Sequence, residues 1–169
     1  MTTALALPST EEEIWRYSRI NELDMSKFAS GKLTTTVEGG EGVQLNGAAA
    51  TALIGAGMHV QPDVFAQLNT DTPDVIALHI GKNKVHTQTV VITHSVDKSG
   101  VVAYPRLVID AAENSEIVVV ERFTSADNVH SLVVPVVEVH AAQSARVTYL
   151  AINELGKNTW QIGHQVAVG

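Results

Sequence analysis

Cysteine is absent from the 169 residues. No disulfide, thiolate nucleophile or Cys-ligated zinc or cluster site can form within this chain, and a reducing compartment is permitted. Aromatic residues make up 5% of the chain, too few to suggest the stacked rings on which single-stranded nucleic acid lies. Cationic residues are in deficit as well: 11 Lys and Arg against 18 Asp and Glu give a net charge of −7. A phosphate-backbone binder needs a clustered Lys/Arg surface that releases counterions, and an anionic membrane surface asks for the same. Here Lys82-Asn83-Lys84 is a small loop cluster, and Arg106, Arg122 and Arg146 occur singly. No run approaches the roughly 18–20 apolar residues of a membrane span. The start, Met1–Pro8, is apolar but short, has no basic flank and runs at once into acidic residues, which does not fit a signal peptide. The expectation is a soluble, cytoplasmic protein.

What is present is a globular composition, 45% hydrophobic and 17% charged, in a length that suits one ordinary domain with a small appendage. Residues 1–72 read as a helical N-terminal region with a Gly/Ala/Thr-rich join. Pro8-Ser9-Thr10-Glu11-Glu12-Glu13 carries a helix start: Ser9 as N-cap, Glu12 three residues on to complete a capping box, and acidic charge at the positive end of the dipole. Ile14, Tyr17 and Ser18 then fall on one face, with Trp15 and Ile20 beside it, an amphipathic helix that seeks a core. Gly39-Gly40-Glu41-Gly42 breaks regular structure and predicts a loop or edge hairpin. Leu53-Ile54-Gly55-Ala56-Gly57-Met58-His59-Val60 superficially resembles a dinucleotide fingerprint, but the third Gly is missing and no βαβ spacing follows. Pro62–Asn69 predicts a short helix with Pro in its first turn.

After Pro73 the texture changes, and residues 73–169 read as β structure. Val75–Ile80, Gln88–Thr93, Val101–Ala103, Arg106–Asp110, Glu116–Phe123, Leu132–Val139, Ala145–Ile152 and Thr159–Val168 are strand-like and separated by turn residues. Ala145, Val147 and Tyr149 alternate with Arg146 and Thr148, whereas Ile117–Val120 and Leu132–Val137 are continuously apolar, as in strands buried on both sides. Such short, fairly even strands allow a barrel, a sandwich or a β-solenoid, and no fixed repeat period chooses among them.

The seven histidines are the natural candidates for chemistry: His59, His79, His86, His94, His130, His140 and His164. A His-x-His pair on a strand would aim two ligands to one side, as in a cupin-type metal centre. The sequence has none, and isolated histidines in or beside strands read as structural or surface residues. No Ser stands in a Gly-x-Ser-x-Gly elbow. Asp110, Glu121 and Glu138 lie at or in strands and read as solvent-facing carboxylates. No catalytic, cofactor-binding or metal-ligating residue is assigned.

Taken in order, Glu12-Glu13-Ile14-Trp15-Arg16-Tyr17-Ser18, Phe65-x-x-Leu68-Asn69, Pro105-Arg106-Leu107-Val108-Ile109, Asn114-Ser115-Glu116-Ile117, Val120-Glu121, Val137-Glu138-Val139 and Ala145-Arg146-Val147-Thr148-Tyr149 resemble the SufBD family of iron–sulfur cluster assembly proteins, on its SufD side. The SufB side is less similar: where it would carry a Cys-bearing segment after Glu121, this chain has Arg122-Phe123-Thr124-Ser125. The resemblance implies a right-handed parallel β-helix behind a helical N-terminal region, and so selects the solenoid among the three options. Tyr104–Phe123 then forms two consecutive sides of one coil, with Ala111–Ser115 at the corner, rather than a hairpin. It also implies a non-enzymatic structural subunit, partnered by SufB-like and SufC-like (ATPase) subunits in a cytosolic complex. The chain then has no cofactor of its own, because cluster and ATP are handled with the partners. Family members run longer, with the rungs that pair with SufB and a C-terminal helical segment that docks the ATPase, so the chain is expected to be a fragment lacking the partner-docking half, or a truncated gene product. A solenoid cut between rungs exposes unpaired backbone and an apolar end, so self-association through Thr159–Val168, or the need for a partner there, is expected. Two other classes compete: a β-solenoid enzyme acting on acidic polysaccharide, disfavoured by scattered charge, and a metal-dependent β-barrel enzyme using His79, His86 or His94.

Overall fold

The computed structural model describes residues 6–57, 63–72 and 74–169. Thirteen strands and two short helices follow in order: β1 (Ala29–Ser30), β2 (Thr34–Glu38), β3 (Gln44–Leu45), α1 (Ala48–Thr51), α2 (Val64–Leu68), β4 (Val75–Ile80), β5 (Val90–Val96), β6 (Val101–Ala103), β7 (Arg106–Ala111), β8 (Glu116–Ser125), β9 (Ser131–Val133), β10 (Val136–Ala141), β11 (Arg146–Glu154), β12 (Thr159–Gln161) and β13 (His164–Val168). They form three sheets, ordered β1-β6-β9-β12, β13-β10-β7-β4-β3 and β11-β8-β5-β2. Successive strands of the C-terminal part go to different sheets, and each pairs in parallel with the strand one coil away. This is a three-faced parallel β-helix, the solenoid implied by the resemblance; it is not a barrel, which overturns the metal-dependent barrel reading.

The register supplies the period that the sequence hides. Val75 pairs Arg106, Arg106 pairs Val136, and Val136 pairs His164, so one coil takes about thirty residues and its length drifts at the corners. The corner between the second and third faces is set by a left-handed residue on each coil: Asn83 at φ 59°, Asn114 at φ 56° and Ser144 at φ 61°. Asn tolerates that conformation better than most L-residues, because its short amide bonds locally. The corners also bond to one another, with Asn114 Nδ2 donating to Asn83 Oδ1 at 2.9 Å. Pro135 and Gly163 mark another corner. They split the expected strands Leu132–Val139 and Thr159–Val168 into β9 with β10 and β12 with β13. A Cβ on Gly163 would sit 2.8 Å from the Pro135 ring, so the stacking of these corners requires glycine there.

Inside the coils, Leu78, Ile80, Val90, Ile92, Leu107, Ile109, Ile117, Val119 and Val137 form one aliphatic cluster. Each such side chain gains about 1.5–3 kcal/mol on full burial. Two outer faces are covered by the N-terminal region. Ile20, Leu23, Val64 and Phe65 pack with Val102, Leu132 and Val134, and Ala50, Leu53 and Ile54 lie on Ala77 and Val108. Leu132–Val137 is therefore buried on both sides, as its unbroken apolar run predicted. β5 and β8 alternate between buried and half-exposed, because their outer face is not covered by this region.

The N-terminal region departs from expectation. It contributes β1, β2 and β3, one strand to each sheet, the last two antiparallel; β2 and β3 pair with different sheets, so Gly39–Gly42 links two edges rather than closing a hairpin. The capping bond is made, Ser9 N donating to Glu12 Oε1 at 3.0 Å, yet only a 3₁₀ turn, Glu13–Trp15, follows. Ile14 and Tyr17, expected to face a core, are 86% and 94% exposed. A short helix is costly to nucleate and needs a packed face to persist; here Trp15 packs against Phe65 and Ile20 is buried, and these two anchors hold the segment in turns instead. The second predicted helix is α2, capped by Asp63, whose carboxylate accepts from Phe65 N and Ala66 N at 2.9 and 3.0 Å.

Candidate functional site

Two buried polar groupings interrupt the aliphatic packing. The first lies within the solenoid. On β8 the alternate residues Ile117, Val119, Glu121 and Phe123 are buried, so Glu121 points inward among hydrocarbon and is 1% exposed. One coil below, His94 on β5 presents Nε2 at 3.1 Å from Glu121 Oε1 and stacks on Phe123 with ring centroids 4.7 Å apart. One coil above, the Tyr149 hydroxyl of β11 donates to Glu121 Oε2 at 2.5 Å. Below His94, the Thr35 hydroxyl of β2 lies 2.8 Å from Nδ1. A carboxylate only accepts, so the His94 proton belongs on Nε2, and Nδ1 accepts from Thr35. The result is a continuous chain, Thr35–His94–Glu121–Tyr149, across four strands of one sheet. Burial, then the charge of Glu121, then its hydrogen bond hold the Tyr149 hydroxyl far above the ordinary tyrosine range, so it remains a donor.

A cavity of about 420 Å³ opens beside His94, lined among others by Leu33, Thr35, Asp74 and Pro105. A second, of about 210 Å³, is bordered by Glu121, Phe123, Tyr149, Gln161 and His164. This hydrogen-bonded series joins the two, and its chemical capacity is to hold or pass a proton between a carboxylate and an imidazole.

The second grouping lies on the outer face of β7 and β10. Arg106 Nε donates to Glu138 Oε1 at 2.8 Å, and both residues are buried. Arg106 Nη2, also 2.7 Å from Oε1, lies off the hydrogen-bond direction, so that contact is electrostatic. Nη1 donates to the backbone carbonyl and side-chain oxygen of Asn69 at 3.2 and 3.3 Å, while Asn69 Nδ2 bonds the carbonyls of Pro105 and Val134. The remaining acceptors of Glu138 take Gly55 N at 2.8 Å and Gly57 N at 3.2 Å. Gly55 has φ +78°, a conformation glycine adopts without steric cost. The Gly-x-Gly of the fingerprint-like stretch thus presents its amides to an anion, as a phosphate-binding turn does, but the anion is the protein's own Glu138. Its continuation through Met58, His59 and Val60 lies outside the described residues.

These placements correct the sequence reading of Glu121 and Glu138 as solvent-facing carboxylates; both are buried, as is Arg106. The partners sit roughly thirty residues apart and only the coil register brings them together. A signal was available in Ile117-x-Val119-x-Glu121-x-Phe123, whose period of two aims the carboxylate inward. Asp110 stays on the outer face, half-buried, with its Oδ2 at 2.6 Å from His79 Nδ1. The histidines do not converge. His79 bonds Asp110, His86 Nε2 bonds the Gly39 carbonyl at 2.7 Å, His94 bonds Glu121, and His164 Nε2 bonds Asp63 at 3.0 Å. His130 is exposed, His140 Nε2 is buried without a hydrogen-bond partner among the described residues, and His59 lies outside them. Among the described residues, no three His, Asp or Glu side chains are grouped to hold a metal ion, and no helix is long and apolar enough to cross a membrane.

Residues 90–168, from β5 to the end of β13, match the family model described as "SUF system FeS cluster assembly, SufBD core domain". No curated protein and no solved structure matches the chain.

Proposed function

We propose that the protein is a SufD-like structural subunit of an iron–sulfur cluster assembly complex, since its residues 90–168 match the SufBD core model. The observation that carries this reading is that family match, which runs over the parallel coils from β5 onward. Arg122-Phe123-Thr124-Ser125, where the SufB side would carry a Cys-bearing segment, favours the SufD side. On this reading the protein is not an enzyme. A SufC-like ATPase hydrolyses ATP, the cluster is cargo built together with a SufB-like subunit, and the whole works in the cytosol. The polar chain through the coils and the Arg106–Glu138 anchor then serve to fix one rigid stacking of the rungs, which a scaffold requires.

The test is co-expression of the tagged product of the whole reading frame that contains this chain with the SufB-like and SufC-like subunits encoded in the same genome. A ternary complex that survives affinity and size-exclusion steps, and that gains an iron–sulfur chromophore when supplied with iron, sulfide and ATP, is the expected result. Clean elution of that product alone, with both other subunits unbound, overturns the reading.

A further inference from the structure

The stack of coils has one end formed by β1, β2 and β3, the terminal strands of the three sheets. β1 and β3 are two residues long, but β2 runs from Thr34 to Glu38 and, among the described residues, has no strand on its far side. Soluble proteins blunt such an edge with Pro, a bulge or a central Lys. Here Thr34-Thr35-Thr36-Val37 is an unbroken β-branched run, a composition that favours pairing. The lumen is open at this end too. Thr35 and Val37 stand opposite the inward His94 and Ile92 of β5. With Leu33 they line one wall of the cavity of about 420 Å³, together with Val75, Ile76 and Pro105.

The edge is complementary to itself. About a two-fold axis through Thr35, an antiparallel second copy sets Lys32 opposite Glu38, Leu33 opposite Val37 and Thr34 opposite Thr36, each pair formed twice. Facing residues in this register have the same parity, so they share a face of the sheet and turn their backbone groups the same way. A slip of two residues either way sets Glu38 against Thr34 or Ser30 and leaves Lys32 with no carboxylate opposite. The charged side chains near the edge are Lys32, Glu38, Asp74 and Asp97, with Glu41 and Lys98 in the adjoining loops. Lys32 Nζ is 3.5 Å from Asp74, and Asp97 accepts from the Thr34 hydroxyl at 2.7 Å. The register therefore sets Lys32 between Asp74 of its own chain and Glu38 of the second copy. The net charge of −7 repels two copies at a distance, but salt screens that field beyond about 8 Å, and the pairs in contact decide.

We propose that β2 is a dimerisation edge, at which two copies of this chain pair β2 with β2 about Thr35 and join their four-stranded sheets into one. The Leu33–Thr35–Val37 wall of one copy then continues as Val37–Thr35–Leu33 of the other, and the two cavities face one another across the axis. A single extended peptide would not supply the doubled Lys32–Glu38 match. The inference does not depend on the function proposed above.

The test uses the product of the whole reading frame that contains this chain, with mass read by sedimentation equilibrium and the footprint by hydrogen exchange. An edge from Lys32 to Glu38 is short against the ~1,600 Å² of a standard interface, so one doubling of mass is expected at about 10–100 μM. K32E and E38K each oppose like charges twice and should weaken that step by about tenfold or more. An equimolar mixture of the two variants restores opposite charges at both positions and should associate as wild type does. Melting temperatures should match wild type, because both side chains are exposed and the ion pair of an exposed lysine contributes little. Residues 34–38 of the wild-type protein should gain exchange protection as concentration rises, a readout that needs no variant. No doubling of wild-type mass up to about 1 mM overturns the dimer edge. So does a doubling that both variants leave within about twofold, or a mixture no tighter than its components. Protection of residues 34–38 that appears only when another subunit is added assigns the edge to a different protein and also overturns it.

Discussion

Removing the Glu138 carboxylate would strand the Arg106 guanidinium in a dry setting and free two glycine amides at once. E138A should therefore cost about 3–5 kcal/mol in urea unfolding, because the surviving charge has lost its compensation. Replacing both members together, as R106M/E138L, should recover part of that loss; a double variant no better than E138A would show that the amides matter more than the charge pair. Inside the coils the corresponding test is Tyr149. Folding raises its hydroxyl far above the ordinary value of 10.0. Above about pH 10 the unfolded chain therefore loses a proton that the folded chain keeps, and stability declines as pH rises. The contribution is intact below pH 10. Y149F should flatten this alkaline decline in melting temperature between roughly pH 9.5 and 11.5, while lowering stability at neutral pH by about 1–3 kcal/mol through the donor lost to Glu121.

Elements were more legible than residues. Val- and Ile-rich runs located every strand from β4 onward to within a few positions, and the Ala111–Ser115 corner was readable from its turn chemistry. The amphipathic helix at the N-terminus was not borne out: one bond of its capping box forms, but its apolar face meets no core, and local signals alone do not sustain a helix. Nor was the inward carboxylate read correctly, since Val118 and Val120 fill the outward positions of β8 and mask the alternation that places Glu121 inside. The corners make a prediction at this scale. Ser144 occupies the left-handed position that Asn83 and Asn114 hold on the coils below, and serine tolerates it less well. S144N should raise stability by up to about 1 kcal/mol, and N114V should lower it by about 1–2 kcal/mol, because β-branching is poorly suited to positive φ. Equal melting temperatures for the three proteins would remove the argument.

Over the whole molecule, the repeat was the hardest feature to see. Its length drifts with the corner, and the chemistry at equivalent points changes from Asn to Ser or from Pro to Gly, so only the hydrogen-bond register makes it plain. Stacked coils contact only their neighbours, which makes stability a sum of local terms. Native-state hydrogen exchange should consequently be slowest in β7 and β8, each paired in parallel on both sides, and fast in β1 and β3, which are two residues long and lie at sheet edges. Uniform protection across these strands would show a single cooperative block instead.

The clasp between Gly57 and Glu138 also sets an order of events. Its two halves are separated by 81 residues, with the amides made first. At roughly 5–20 residues per second, the interval on a ribosome is about 4–16 s. Throughout it the Gly-x-Gly turn has donors and no anion, so the cover can settle on β4 and β7 as they emerge but is not yet clasped. The coils must be laid down before their lid can be fastened, so the first part of the chain to be synthesised is among the last to be secured.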